Sequence, residues 1–185
     1  YIDLEKGWVS FLSWRYMNDE KLSGTLGYDP KKDRRTKNHW GSEIKTKRWD
    51  ASFKVGYVFP EIPYQSFGLQ TAFSNHDQDS YYGLQTYDIS QHSFYTNLIF
   101  NSIIGNTLNK FKVGFNYSFD DYVEQVNSDR FNRMDQNMGG FFEFTHNNND
   151  NFSWIAGFRI DFHNNLGTFL TPRLHLRYVP FEKFV

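Results

Sequence analysis

The chain has 185 residues, and its 20 Lys and Arg against 21 Asp and Glu leave a formal net charge of -1. This balance gives no electrostatic reason to expect nucleic acid as a partner, because binding to phosphates requires an excess of positive charge. Mean hydropathy is -0.67, and no apolar run approaches the roughly 18 residues that a transmembrane helix needs. The absence of cysteine excludes disulfides, thiol nucleophiles and cysteine-ligated metals.

Taken in chain order, apolar residues recur at every second position rather than at helical spacing. The alternation is clear in residues 48–57, 111–120, 153–163 and 170–178, and weaker in residues 7–17, 67–76, 89–102 and 138–146. Each segment predicts a β-strand with one apolar and one polar face. We therefore predict an all-β, antiparallel fold of about eight strands.

The connections between these strands are predicted to alternate in length. Residues 19–46, 77–88 and 121–133 are interpreted as long connections, and residues 60–65, 105–109 and 147–151 as tight turns rich in Pro, Gly and Asn. The link at residues 164–167 is the exception, because it is short on the side of the long connections. Outer-membrane barrels combine short periplasmic turns with long outward loops, so this pattern favours a transmembrane β-barrel wall.

A soluble β-sandwich also alternates, but three features favour the membrane. The predicted strands reach about ten residues, which suits a tilted span of the bilayer. Aromatic residues, 20% of the chain, concentrate near strand ends, where interfacial girdles would lie. Charged residues occur in the middle of strands, and a dry sandwich core does not hold unpaired charges. The sequence thus predicts the cell outer membrane as the location and its lipid as a partner.

The alternation assigns side chains to two surroundings. Residues predicted to face lipid are Trp49, Phe53, Val55, Phe111, Phe115, Trp154, Phe158, Leu174 and Leu176. Residues predicted to face a polar lumen are Lys54, Lys112, Glu143, Arg159 and Arg173.

The last two predicted strands carry strings that are similar to a known family. Residues 157–164 read GFRIDFHN and residues 167–178 read GTFLTPRLHLRY. These strings, with residues 57–63 and 101–107, resemble the mid-barrel of TonB-dependent outer-membrane receptors, and the resemblance extends over residues 7–178. It implies a barrel of the 22-stranded class with a plugged lumen, which imports a scarce ligand with energy from the TonB system.

The resemblance also implies that residues 1–185 are part of one barrel domain, without the plug domain or the closing C-terminal strands. The sheet is then expected to remain open, with remaining barrel strands as partners. The alternative is a small, self-closed eight-stranded barrel with a structural or adhesive role. Residues 179–185 favour the larger barrel, since they are interpreted as a turn leading into another strand. An outer-membrane enzyme ranks third, and no catalytic activity is expected.

Six polar residues on the last two strands are candidates for contact with the plug. They are Arg159, Asp161 and His163 on one strand and Arg173, His175 and Arg177 on the next. Residues of equal parity in neighbouring strands share a face, so these side chains are expected to line the lumen together. Three arginines against one aspartate leave positive charge, which carboxylates of a plug would neutralise.

Other constellations are weaker. Asp161, His163 and His175 are compatible with a metal site, but the neighbouring arginines would repel a cation. Asp77 and Asp79 match only part of a calcium loop, and no nucleophile elbow places a Ser-His-Asp triad. No metal or cofactor is therefore predicted. The basic residues Lys31, Lys32, Arg34, Arg35, Lys45 and Lys47 belong either to a solvated loop or to a surface for anionic lipopolysaccharide or ligand.

Overall fold

The computed structural model describes residues 2–3, 5–148 and 151–179. These residues form β1 (Ile2–Asp3), β2 (Trp8–Gly24), β3 (Gly41–Val58), β4 (Ser66–Tyr82), β5 (Gln85–Ile104), β6 (Asn106–Val126), β7 (Asp129–Asn148), β8 (Phe152–His163) and β9 (Gly167–Tyr178). Within the same residues, no helix has the length and apolar character needed to cross a membrane.

Each strand pairs antiparallel with its neighbours in the chain, so the described residues make one sheet in the order β1 to β9. The only register irregularity in these pairings lies between Ile103 and Ile104, beside the turn at Gly105. Gly105 and Asn127 turn the chain with φ of 75° and 56°, the left-handed conformation that glycine and asparagine tolerate best. The predicted all-β antiparallel fold is confirmed, and eight of the strands are long.

Two of the predicted long connections are wrong. The strands β4 and β5 continue through residues 77–88 to a turn at residues 83–84, and β6 and β7 continue through residues 121–133 to a turn at residues 127–128. Both faces are polar in these extensions, so the period-two signal disappears although backbone pairing persists. Of the three, only the connection between β2 and β3 is long, and it is limited to residues 25–40. The predicted turn at 147–151 includes residues 149–150, which lie outside the described residues, as do residues 180–185.

The strand registers confirm the predicted division into two faces. A row of paired residues runs across the sheet from Phe53 in β3 to Phe162 in β8. The nine residues predicted to face lipid all lie on the face of that row, which we call the apolar face. The five residues predicted to face the lumen lie on the opposite, polar face.

In the described residues, the apolar face has no covering layer except at the end where the β2–β3 loop packs on it. Leu12, Trp14 and Leu174 expose 75%, 70% and 65% of their surface, and among the described residues the one buried apolar side chain is Tyr81, beside that loop. An apolar surface of this extent is unfavourable in water and marks contact with lipid or with another protein. The fold therefore requires an apolar medium on this side.

The sheet is open. Among the described residues, β1 pairs with β2 and β9 pairs with β8, and neither of these end strands pairs with the other. The expectation that the sheet does not close on itself is confirmed for this part of the chain. An eight-stranded barrel closed by these strands is not what is observed.

Candidate functional site

The polar face of the sheet carries charged side chains that are paired with one another across neighbouring strands. The first group, the Asp50 cluster, lies on β2 and β3. Arg15 donates to Asp50 Oδ2 through Nε at 3.0 Å and Nη2 at 2.8 Å, and Arg48 donates to Asp50 Oδ1 through Nη2 at 2.8 Å. One carboxylate thereby holds two guanidinium groups, which are geometrically matched to it.

A second group, the Asp120 cluster, lies on β5, β6 and β7. Ser93 Oγ and Gln91 Nε2 both donate to Asp120 Oδ1, at 2.5 Å and 3.2 Å. The guanidinium of Arg133 lies 4.4 Å from the ring centre of Tyr122, at a distance suited to a cation–π contact.

Small side chains fill the wall between these two clusters. Ser13, Ser52, Ala72, Ser74 and Ser118 line a shallow groove of about 540 Å³ that has Asp50 at one end and Asp120 at the other. Short side chains leave space above the sheet, so an object in front of the polar face can approach the backbone closely here.

The third group, the Arg159 brace, spans β6, β7 and β8. Arg159 donates to Asp161 through Nε at 2.5 Å and Nη2 at 2.6 Å, and its Nη2 also donates to Asn116 Oδ1 at 2.7 Å. Asn137 Nδ2 donates to Asp161 from β7, the strand between β6 and β8. The guanidinium lies flat across β7 because Gly139 has no side chain there: a Cβ at Gly139 would be 2.7 Å from Arg159 Nη2.

The fourth group is centred on Glu143 of β7. Lys112 Nζ lies 3.3 Å from Glu143 Oε1, and Arg173 Nη1 lies 3.9 Å from Glu143 Oε2. Two of the cations predicted from sequence to face the lumen therefore share a carboxylate from the same wall.

The six predicted plug-contact residues share the polar face, but the register separates them into two sets. Arg159, Asp161 and His163 pair with Thr171, Phe169 and Gly167, whereas Arg173, His175 and Arg177 pair with Gly157, Ile155 and Ser153. His163 closes the β8–β9 turn, since its Nδ1 accepts hydrogen bonds from the backbone of Asn165 and Leu166. The exposed His175 and Arg177 make no hydrogen bond or ion pair with the described part of the chain.

The strand register also separates the two histidines of the possible metal site formed by Asp161, His163 and His175. His163 pairs with Gly167 and His175 pairs with Ile155, so the two rings lie eight residues apart along β9. No group of three or more metal-ligating side chains occurs in residues 2–3, 5–148 and 151–179. In the partial calcium loop, Asp77 accepts hydrogen bonds from Ser90 and Asn75.

Sequence reasoning found the parity of the charged residues but missed their partners. Asn116 and Gly139 belong to the Arg159 brace, and Arg15 belongs to the Asp50 cluster, yet none of the three stood out in the sequence. The glycine pair Gly139–Gly140 inside a strand was the available signal, because glycine in a strand interior often marks a close approach of other atoms.

Comparison with known proteins supports the fold and leaves the sequence family open. No family model and no curated protein sequence matches the chain. Among solved structures, the chain is similar to the alcaligin outer-membrane receptor FauA from Bordetella pertussis, with a TM-score of 0.75 and 10% identity. The match covers 97% of this chain and 32% of that receptor chain, so this chain spans about a third of that protein's length. The fold is that of an outer-membrane β-barrel wall.

Proposed function

We propose that this chain is part of a receptor in the cell outer membrane that takes up a scarce ligand through a plugged barrel with energy from the TonB system. The observation that carries the proposal is the combination of an open sheet, similar to a third of a receptor barrel, with a polar face on which most of the charges are paired within the wall. A narrow eight-stranded barrel fills its interior with side chains, whereas a large barrel needs a hydrated wall that accommodates a separate domain.

In this proposal the apolar face contacts lipid and the polar face lines the lumen. The plug domain, the remaining barrel strands, the TonB system and an unknown small ligand are the partners, and the chain itself is not an enzyme. Of the six plug-contact candidates, Arg173, His175 and Arg177 are proposed to contact the plug directly. Arg159, Asp161 and His163 on the neighbouring strand hold the wall beside them through their own hydrogen bonds. The groove between the Asp50 and Asp120 clusters gives the plug or the ligand room beside the wall.

The proposal is tested in the organism with three strains: wild type, a strain lacking the protein that contains this chain, and a strain lacking TonB. Each strain is supplied with the same filtrate of spent medium, and loss of its small molecules is followed by mass spectrometry. We expect at least one compound that wild type removes to persist in both mutant cultures. A compound that persists only without this protein would contradict TonB coupling, and identical profiles in all three cultures would contradict uptake.

A further inference from the structure

The loop between β2 and β3 packs on the apolar face of the wall and not on the polar face. The ring of Tyr28 covers Gly24 and Gly41, where a Cβ would lie within 2.5 Å and 2.2 Å of ring atoms. The register from Trp8–Tyr57 to Gly24–Gly41 is unbroken, so both glycines belong to the apolar face of the wall. The loop is therefore positioned beside the lipid and not as a gate to the lumen.

From Tyr28 the loop folds back toward the membrane. Arg34 Nη2 lies 2.9 Å from Glu43 Oε2, and the Arg34 guanidinium lies 5.2 Å from the ring centre of Tyr81. Arg35 lines a cavity of about 390 Å³ together with Lys45 and Asp79. Gly41, Glu43 and Lys45 are successive residues on the apolar face of β3. The loop lies beside all three, so it runs back along β3 from Gly41 to Lys45. Burial, followed by the hydrogen bond with Tyr28, raises the pKa of Tyr81 to about 12, in keeping with a tightly packed loop.

This descent brings basic residues to the level of lipid headgroups. The last aromatic pair on the apolar face of β2 and β3 is Tyr16–Trp49. Lys47 and Lys45 precede Trp49 by two and four residues, toward the β2–β3 loop. For a strand tilted by about 45°, these steps place them about 5 Å and 10 Å above the aromatic girdle, within the headgroup layer and just beyond it.

Four exposed cations of the loop and of β3 lack ion-pair partners among the described residues. Arg34 pairs with Glu43, and Lys45 pairs with Glu20 and Glu43. The exposed Lys31, Arg35, Lys37 and Lys47 have no carboxylate within ion-pair distance among the described residues. Three carboxylates lie near them on the apolar face. Asp77 lies opposite Lys47 in the register but accepts a hydrogen bond from Ser90, Asp88 accepts from the backbone of Ser80, and Asp79 lies opposite Lys45.

We propose that Lys31, Arg35, Lys37 and Lys47 form a binding surface for the phosphate groups of a phosphorylated lipid in the outer leaflet of the outer membrane. Guanidinium and ammonium groups at headgroup level recognise phosphate by charge-assisted hydrogen bonds, and each adds to binding at a charged membrane surface. The inference rests on the proposed placement in the outer membrane and is independent of ligand uptake.

The test uses the full-length protein that contains this chain, purified in detergent and titrated with diphosphorylated lipid A. The variant carries Arg35→Asn and Lys47→Gln. Asparagine suits position 35 because Arg35 has a φ of 54°, in the left-handed region. The matched control is Lys21→Gln, which removes a cation near the same end of the wall but from the polar face, since Lys21 pairs with Ile44 in the register. A second variant, Lys31→Gln with Lys37→Gln, changes only exposed loop positions.

We expect each double variant to bind lipid A about tenfold more weakly or worse, as the loss of two surface cations predicts, while Lys21→Gln stays within about twofold of wild type. Dephosphorylated lipid A should bind wild type as weakly as the variants bind lipid A. Equal binding by all proteins, or equal binding of both lipids, would overturn the proposal. Inorganic phosphate binding as tightly as lipid A would reduce the surface to an anion site and would also overturn it. Whether the protein lies in the outer membrane is tested separately, by whether it floats together with outer membranes.

Discussion

The guanidinium of Arg159 lies directly over Gly139, so close that a Cβ atom on Gly139 would be 2.7 Å from Nη2 and 2.3 Å from Oδ1 of Asp161. The adjacent Gly140 points to the apolar face, and a Cβ there would have its nearest neighbour, the carbonyl oxygen of Gly114, at 3.9 Å. Two consecutive glycines in one strand thus differ in what a methyl group would displace. This difference makes the Arg159 brace testable by a matched pair of substitutions.

The first prediction is that Gly139→Ala destabilises the wall and Gly140→Ala does not. The methyl group at position 139 must push Arg159 away from Asp161 and Asn116, and overpacking of this kind costs about 1–3 kcal/mol. At position 140 the methyl group makes only an ordinary van der Waals contact, and reduced freedom of the unfolded chain gives a gain of up to about 1 kcal/mol. Urea unfolding of the purified protein in lipid vesicles measures both. Equal losses for the two variants would show that the brace does not depend on Gly139.

The second prediction concerns the loop that Tyr28 fixes to the wall. Its ring covers Gly24 and Gly41, and its hydroxyl lies 2.5 Å from that of Tyr81. Tyr28→Ala removes the packing and the hydrogen bond, whereas Tyr28→Phe removes only the hydrogen bond. Trypsin cleaves after Lys and Arg, so residues 31–37 report on loop opening. We expect cleavage in this segment to be fastest in Tyr28→Ala, slower in Tyr28→Phe and slowest in wild type. Equal cleavage of Tyr28→Ala and wild type would argue against this anchoring role.

The sequence was sufficient to predict strands and faces wherever one side of a strand meets an apolar medium. In residues 48–57 the alternation from Trp49 to Tyr57 specifies a face at every position, and the structure matches it. In the extensions of β4 and β5 both sides are polar, so the pattern carried no strand signal and residues 77–88 were misread as a loop. Register then depends on backbone pairing and on the turn at Gly83, which periodicity does not detect.

For the candidate site, the sequence predicted which charges share a face but not which charges pair. Arg159 and Asp161 are two residues apart in one strand, so their proximity followed from parity. The contribution of Asn116 depends on the β6–β7 and β7–β8 registers together, and a single sequence does not specify these. The positive excess expected around Arg173 is reduced by Glu143, from a strand that is not adjacent in the chain to β9.

The third prediction is that neighbouring residues of one strand face different media. These 185 residues contain no cysteine, so a single cysteine introduced here is the only one in this part of the wall. Leu174 lies on the apolar face of β9 and exposes 65% of its surface. Arg173 lies on the polar face of β9 and exposes 58% of its side chain. Nitroxide-labelled lipids should strongly quench the fluorescence of a label attached to Leu174→Cys. A water-soluble quencher should instead quench the fluorescence of the same label attached to Arg173→Cys. The same contrast is expected for Val113→Cys on the apolar face and Lys112→Cys on the polar face of β6, both of which are exposed. Quenching in the reverse order would contradict the assignment of faces.

The last prediction separates the arginines that brace the wall from those that are available to the proposed plug domain. Arg159 has its partners, Asp161 and Asn116, in the wall, so Arg159→Ala should lower barrel stability and leave hydrogen exchange of the plug unchanged. Arg173 lies at the outer limit of ion pairing with Glu143, and Arg177 makes no ion pair within the described residues. In the full-length protein, Arg173→Ala with Arg177→Ala should therefore accelerate hydrogen exchange in the plug segment that faces β9, because a plug carboxylate loses its partners. Lys54→Ala serves as the control, since it removes a cation from the same face on the distant β3. Unchanged plug exchange in the double variant, measured by mass spectrometry, would exclude this pair of arginines from plug docking.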